Sequence, residues 1–132
     1  MIVDASAVLA ILYQEEDALF YAAAIASAAA CRMSAANFLE AAINIDVRGD
    51  AEASRQLDAF MRRAGIAVVP VTLDQAQIAR QAYLDFGKGR HPAGLNFGDC
   101  LAYALARETG EALLFKGDDF SRTDLDYVTA PP

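Results

Sequence analysis

Five brief apolar runs, separated by stretches of helical length, most constrain what this chain can fold into. Met1–Asp4, Cys31–Met33, Ile66–Val71, Ala112–Phe115 and Tyr127–Thr129 read as strands, the third because it is brief and β-branched. Between them, Ser6–Tyr13, Asp17–Ala30, Asp50–Ala64 and Phe97–Thr109 read as helices. Ser34 is a plausible N-cap for a helix reaching Arg48, and Asn96 for the one beginning at Phe97. Thr72-Leu73-Asp74-Gln75 matches a capping box opening a helix to Phe86. Gly49, Gly65, Gly87 and Gly110 each follow a helix-like segment, where a left-handed residue is expected. Lys88–Leu95 reads as a loop. Strands alternating with helices predict an α/β fold, a parallel sheet of four to five short strands flanked by helices on both faces. In such sheets ligands gather at the carboxyl ends of the strands.

The length of 132 residues suits a single domain, 1–132, and 55% hydrophobic residues leave burial unlimited. A net charge of −7 argues against attraction of nucleic acid to the surface as a whole. It argues less against a metal-dependent nuclease, because divalent ions invert the field at a carboxylate cluster. Cys31 and Cys100 form no CxxC motif and read as buried free thiols, in keeping with a reducing compartment. The apolar N-terminus has no basic flank and is interrupted by Asp4, unlike a signal peptide. Ala18–Ala30 is too short for a membrane span, so the expectation is a soluble cytoplasmic protein without a membrane partner.

Three carboxylates stand alone in stretches that otherwise call for burial. Asp4 is the only charge in Met1–Tyr13, Glu40 in Met33–Ile45, and Asp99 in Phe97–Ala106. A fourth acidic site, Asp118–Asp119, follows the apolar run ending at Phe115. An unpaired carboxylate in apolar surroundings costs several kcal/mol or gives up its charge. Each acid has an ordinary use. Asp4 can cap the next helix, Asp99 suits a first helical turn, Glu40 can face solvent, and Asp118–Asp119 can be a polar turn. Yet Ala36, Asn37, Ile43 and Asn44, the helical neighbours of Glu40, are not a typical solvated face. Asp4 closes one strand, Asp118 and Asp119 follow another, and Asp99 begins a helix, so the acids can converge on one sheet edge. Clustered carboxylates need cations, and hard ions such as Mg²⁺ or Mn²⁺ take oxygen ligands.

Other chemistries lack their motifs. There is no GxxxxGK[ST] or GxGxxG loop, no GxSxG elbow for Ser6, and no zinc pattern around the single His91. Lys88, Arg90 and His91 are either a solvated loop or a phosphate-contacting one, and Lys116 has the same two readings. Tyr83 and Tyr103 read as packing residues.

Ile2-Val3-Asp4-Ala5-Ser6-Ala7 resembles the opening of PIN-domain proteins, and Asn37-Phe38-Leu39-Glu40 their helix-borne glutamate. His91 to Cys100, with Asn96-Phe97-Gly98-Asp99 at its centre, resembles the central acidic motif of the VapC toxins. Lys116-Gly117-Asp118-Asp119-Phe120, followed by Thr123-Asp124, resembles their last motif. The likeness runs in order over nearly the whole chain. It implies one PIN domain with Mg²⁺-dependent endoribonuclease activity, the toxin of a type II toxin–antitoxin pair that inhibits translation and growth. It also implies a homodimer, neutralised in a hetero-oligomer by a cognate VapB-type antitoxin. By the same resemblance, Asp4, Glu40, Asp99 and either Asp118 or Asp119 hold the metal.

The resulting expectation is metal-assisted hydrolysis of RNA phosphodiester bonds. Asp4 and Asp99 are the primary metal ligands, and Glu40 with Asp118 or Asp119 completes the shell or positions water. Ser6 and Asn96 are candidates for orienting the carboxylates, Ser6 equally for a local cap. The rival classes are a catalytically silent PIN-like module and a receiver-like signalling domain. A receiver carries adjacent acids early in the chain, whereas Asp4 has no acidic neighbour.

Overall fold

A computed structural model describes residues 1–132. Five strands, β1 (Ile2–Val3), β2 (Cys31–Ser34), β3 (Ile66–Val69), β4 (Leu113–Leu114) and β5 (Tyr127–Val128), form one sheet in the order β3-β2-β1-β4-β5. Every pairing is parallel. Six helices connect them: α1 (Ala5–Leu12), α2 (Ala18–Ser27), α3 (Ala35–Asp46), α4 (Ala51–Ala64), α5 (Leu73–Phe86) and α6 (Phe97–Thr109). A 3₁₀ turn, Phe120–Arg122, precedes β5.

The period-two alternation of side chains along a strand divides the core into two halves. Ile2 and Leu113 pair in register and pack with α5 and α6. Val3 and Leu114 point the other way, into the cluster built with α1 to α4. All four are fully buried, and each such side chain contributes about 1.5–3 kcal/mol relative to an exposed one. These two-residue strands are covered on both faces, which accounts for their continuous apolar character. Cys31 and Cys100 are buried free thiols, as expected. No helix is long and apolar enough to cross a membrane.

Several expected boundaries move, for local reasons. β3 stops at Val69 rather than Val71, because Pro70 has no N–H to continue the ladder. The first and fourth strands contract to their buried pairs, the fifth to Tyr127–Val128 at the sheet edge, and the helix expected to reach Arg48 ends at Asp46. Gly49, Gly65 and Gly110 take the left-handed conformation, but Gly87 does not; its φ is −68°. Gly87 instead lets the chain run close under Tyr83, where a Cβ would sit 2.2 Å from the Tyr83 carbonyl oxygen. The capping box at Thr72 is half made. Thr72 Oγ1 accepts from Gln75 N, but Gln75 Nε2 donates to Glu108 Oε1 on α6. A complete box forms at Asn96 and Asp99.

The chain runs from β1 outward through β2 to β3, then crosses back to β4 on the other side of β1. The direction of winding therefore reverses between β1 and β4, and in open α/β sheets ligands bind beyond the strand ends at such a reversal. Asp4 follows β1 directly, and Lys116–Asp119 follow β4.

Candidate active site

Asp4 stays in the sheet ladder through its backbone, its N–H donating to Leu114 O at 2.9 Å. Its side chain turns to cap α1: Oδ2 accepts from Ser6 N (3.0 Å) and from Ser6 Oγ (2.5 Å). Ser6 Oγ in turn accepts from Lys116 N (2.9 Å), tying the start of α1 to the segment leaving β4. The cap uses one oxygen only. Asp4 Oδ1 is buried with no hydrogen-bond partner, an arrangement native interiors rarely leave unanswered. Burial raises the Asp4 pKa, against the Ser6 bonds, and the Asp119 charge adds to the rise.

Asp99 lies in the first turn of α6 and divides its carboxylate similarly. Oδ2 accepts from Asn96 N (3.0 Å), while Asn96 Oδ1 accepts from Asp99 N (2.9 Å). This reciprocal box satisfies two amides at the helix start. Burial pushes Asp99 up to about 7; the Asn96 bond opposes this, and the charges of Asp4, Asp119 and Glu40 reinforce it.

Glu40 takes the solvent-facing one of its two readings: it sits in an apolar stretch of α3, yet its side chain is exposed. Partial desolvation and the Asp4 charge raise its pKa, while Asn37 lowers it. Its carboxylate lies against the backbone of Gly98, where an added Cβ would stand 2.3 Å from Oε2. The buried Asn37 fixes the two helices beside it, Nδ2 donating to Gly98 O at 2.9 Å. Asn37 was not singled out from the sequence as a positioning residue. Its one visible cue is a polar side chain one turn before the glutamate on the same apolar segment. Gly98→Ala is expected to push the Glu40 carboxylate aside with little loss of thermal stability. Activity attributable to the site should drop about tenfold or more; an unchanged rate would show that the position of Glu40 does not matter.

The two acids of the fourth site differ in their electrostatics. The charge of Asp119 raises the pKa of both Asp4 and Asp99. Asp119 is itself raised by desolvation and then by its neighbour Asp118. Asp118 acts on none of the other three acids. Lys116 is committed elsewhere, its Nζ paired with Glu15 and with Asp17 Oδ1 (2.9 Å). Of the other residues noted from the sequence, Tyr103 is buried and donates to Asp124 Oδ1 (2.6 Å). Tyr83 lies under the Arg90 guanidinium, 5.7 Å from ring centroid to Cζ.

Asp4, Glu40, Asp99 and Asp119 therefore form one set of like charges, with Asp4 and Asp99 buried and Glu40 and Asp119 exposed. No three His, Cys, Asp or Glu side chains stand close enough to form a ready-made metal cage. The donor chemistry nonetheless fits a hard divalent cation. All donors are oxygens, the pKa values are raised by burial and mutual repulsion, and Asp4 offers a buried, unused oxygen.

Comparison with known proteins places the sequence and the fold. The PIN domain family model matches residues 1–125. VapC ribonuclease Mb0625 of Mycobacterium bovis is 55% identical over 124 residues, 93% of each chain. Ribonuclease VapC of Mycolicibacterium smegmatis is 49% identical over 128 residues, 97% of this chain and 99% of that one. Among solved structures, Mycobacterium tuberculosis VapC20, described as a sarcin–ricin loop cleaving toxin, superposes with a TM-score of 0.75. It is 20% identical, covering 94% of this chain and 95% of that one. VapBC2 of Rickettsia felis, bound to a promoter DNA fragment, gives a TM-score of 0.76 at 12% identity and 98% coverage of both. The match over most of the length, joined to acids converging where the sheet reverses its winding, shows that this chain belongs to the PIN-domain family, among its VapC members.

Proposed function

We propose that the protein is a metal-dependent endoribonuclease, the toxin of a VapBC-type pair, cutting RNA by hydrolysis of phosphodiester bonds. The observation that carries this reading is the buried, unpartnered Asp4 Oδ1 in a set of acids whose ionisation is suppressed by burial and by one another's charge. A divalent cation is what such a set is built to receive; Mg²⁺ fits, and so does Mn²⁺. Asp4 and Asp99 would hold it. Bound there, it supplies Lewis acidity to the phosphate and a more acidic water.

The remaining chemistry belongs to the chain. Ser6 and Asn96 fix one oxygen of Asp4 and of Asp99, leaving the other free. Glu40 and Asp119, both exposed, complete the ligand set or orient the attacking water and accept its proton. Gly98 allows Glu40 to reach in, and Asn37 holds α3 against α6. The Asp118 side chain has no part in this set, so Asp119→Asn should lower the cleavage rate about 100-fold or more. Asp118→Asn should stay within about threefold of wild type. The reverse order would move the fourth site to Asp118.

A cognate VapB-type antitoxin is the proposed partner, in the cytoplasm, and its inhibition has a simple chemical route. An Arg or Lys side chain entering the cleft pairs with the carboxylates in place of the cation. A homodimer, joined with antitoxin in a hetero-oligomer, is the proposed assembly.

The deciding experiment incubates the purified protein with bulk tRNA and ribosomal RNA, with Mg²⁺, with Mn²⁺ and with EDTA. Discrete cleavage products that vanish with EDTA and return on adding Mg²⁺ are expected, and sequencing their ends identifies the substrate. Metal-independent cleavage would remove the metal from the proposal. No cleavage under any condition would favour a catalytically silent PIN module.

A further inference from the structure

The cleft is acidic and the chain carries a net charge of −7, so an RNA strand needs local cations to approach it. The eleven lysines and arginines are not equally available for that task. Arg32, Arg55, Arg107 and Lys116 are paired with carboxylates, and the Arg48 guanidinium stacks on Tyr13 at 4.0 Å. Arg62 and Arg63 lie at the end of α4, and Arg80 is on α5. The other three, Lys88, Arg90 and Arg122, are exposed, form no ion pair, and belong to the two segments that frame the site, Arg90 lying over the Tyr83 ring only at the longer distance of 5.7 Å.

Lys88 and Arg90 lie in the turn between α5 and α6, which leads into Asn96 and so into Asp99. Arg122 closes the 3₁₀ turn that starts immediately after Asp119. The segments are fastened to each other, Arg122 Nη1 donating to Pro92 O at 3.4 Å. Residues 86–98 contain no acid to neutralise the turn. The turn is also held in shape. Gly87 pairs with Leu95 in an isolated bridge, and Lys88 N donates to Leu95 O (2.9 Å). His91 Nδ1 accepts from Ala93 N (3.0 Å). A rigid turn presents its cations at lower entropic cost than a loose one.

We infer that Lys88, Arg90 and Arg122 form a phosphate-binding rail that leads the RNA strand flanking the scissile bond into the carboxylate cleft. The rail rests on the ribonuclease reading and adds to it the residues that hold the substrate backbone. It touches phosphates, so it contributes affinity and register rather than base recognition. It also separates two tasks by charge: the acids act at the cut, and the basic residues act on the phosphates beside it.

The test is steady-state cleavage of a synthetic RNA spanning the site that the wild-type protein cuts, at several salt concentrations. Arg90→Gln/Arg122→Gln should raise KM about tenfold and leave kcat within about twofold. The slope of log KM against log salt should fall by about 1.4, since each single-strand phosphate that is no longer neutralised removes about 0.7. Arg90→Lys/Arg122→Lys should restore most of the slope, since the charge is retained. Arg62→Gln/Arg63→Gln, on α4, should change neither KM nor slope. The rail is overturned if the α4 pair lowers the slope as much as the rail pair, or if the rail pair reduces kcat alone. An unaltered wild-type protein that cuts no RNA defeats the ribonuclease reading itself, whereas cleavage with an unaltered salt slope in the rail variant defeats only the rail.

Discussion

Asp99→Asn is expected to reduce Mg²⁺-dependent RNA cleavage about 1,000-fold or more while raising the melting temperature of the metal-free protein. Both effects come from the same carboxylate. Asn retains an oxygen that accepts from Asn96 N, so the start of α6 stays capped. What disappears is a negative charge that repels Asp4, Asp119 and Glu40. The gain in stability should be several degrees at pH 8 and should vanish near pH 5, where Asp99 is protonated. Stabilisation by Mg²⁺ in a thermal-shift assay should shrink in parallel. Asp4→Asn should be equally inactive but gain less stability. Its amide must place an NH₂ where Oδ1 is now buried without a partner, and a buried unsatisfied donor costs about 1–3 kcal/mol. Full cleavage by both variants would end the assignment of these two acids to the site.

The metal-free protein should also lose stability as pH rises from about 4 to 8, the reverse of a protein held by salt-bridged carboxylates. Asp99 has its folded pKa raised from 3.8 to about 7. Between those values the folded state holds a proton that the unfolded state has released, so stability falls with rising pH. The contribution is fully present below about pH 4 and is lost through pH 7, with a ceiling of about 4 kcal/mol for this one group. Asp4, Glu40 and Asp119 are shifted in the same direction and add to the slope. Chemical denaturation in EDTA at intervals from pH 4.5 to 8.5 reads it directly. Added Mg²⁺ should restore stability at pH 8, by about 2.7 kcal/mol at a hundred times its dissociation constant. A flat profile, or a slope unaltered in Asp99→Asn, would mean that the acids are not coupled in solution.

The sheet was legible because its strands are short, apolar and spaced by helices, and the acids because each is alone among apolar neighbours. What remained illegible depends on distant partners. Nothing near Thr72 shows that Gln75 will be taken by Glu108, a residue on another helix. Gly87 follows a helix like the other glycines, but its environment is the Tyr83 ring and carbonyl rather than a left-handed turn. Glu40 had two readings because its chain neighbours are apolar, and only the packing of α3 against Gly98 shows its side chain exposed. Asp118 and Asp119 are equivalent as letters; only the fold decides which of them senses Asp4 and Asp99. Nothing near Lys88–His91 shows that Arg122, about thirty residues on, will be fastened beside that turn.

The reciprocal bond between Asn96 and Asp99 has a spectroscopic consequence. The amide proton of Asn96 is donated to the same carboxylate that changes charge near neutral pH. Its resonance should therefore move when Asp99 gains a proton or a cation, with no label at the carboxylate itself. Because that bond also closes the first turn of α6, the exchange rate of this single amide reports whether helix end and carboxylate geometry are intact together. The state of the acidic site can thus be followed from one backbone amide that holds the carboxylate in place.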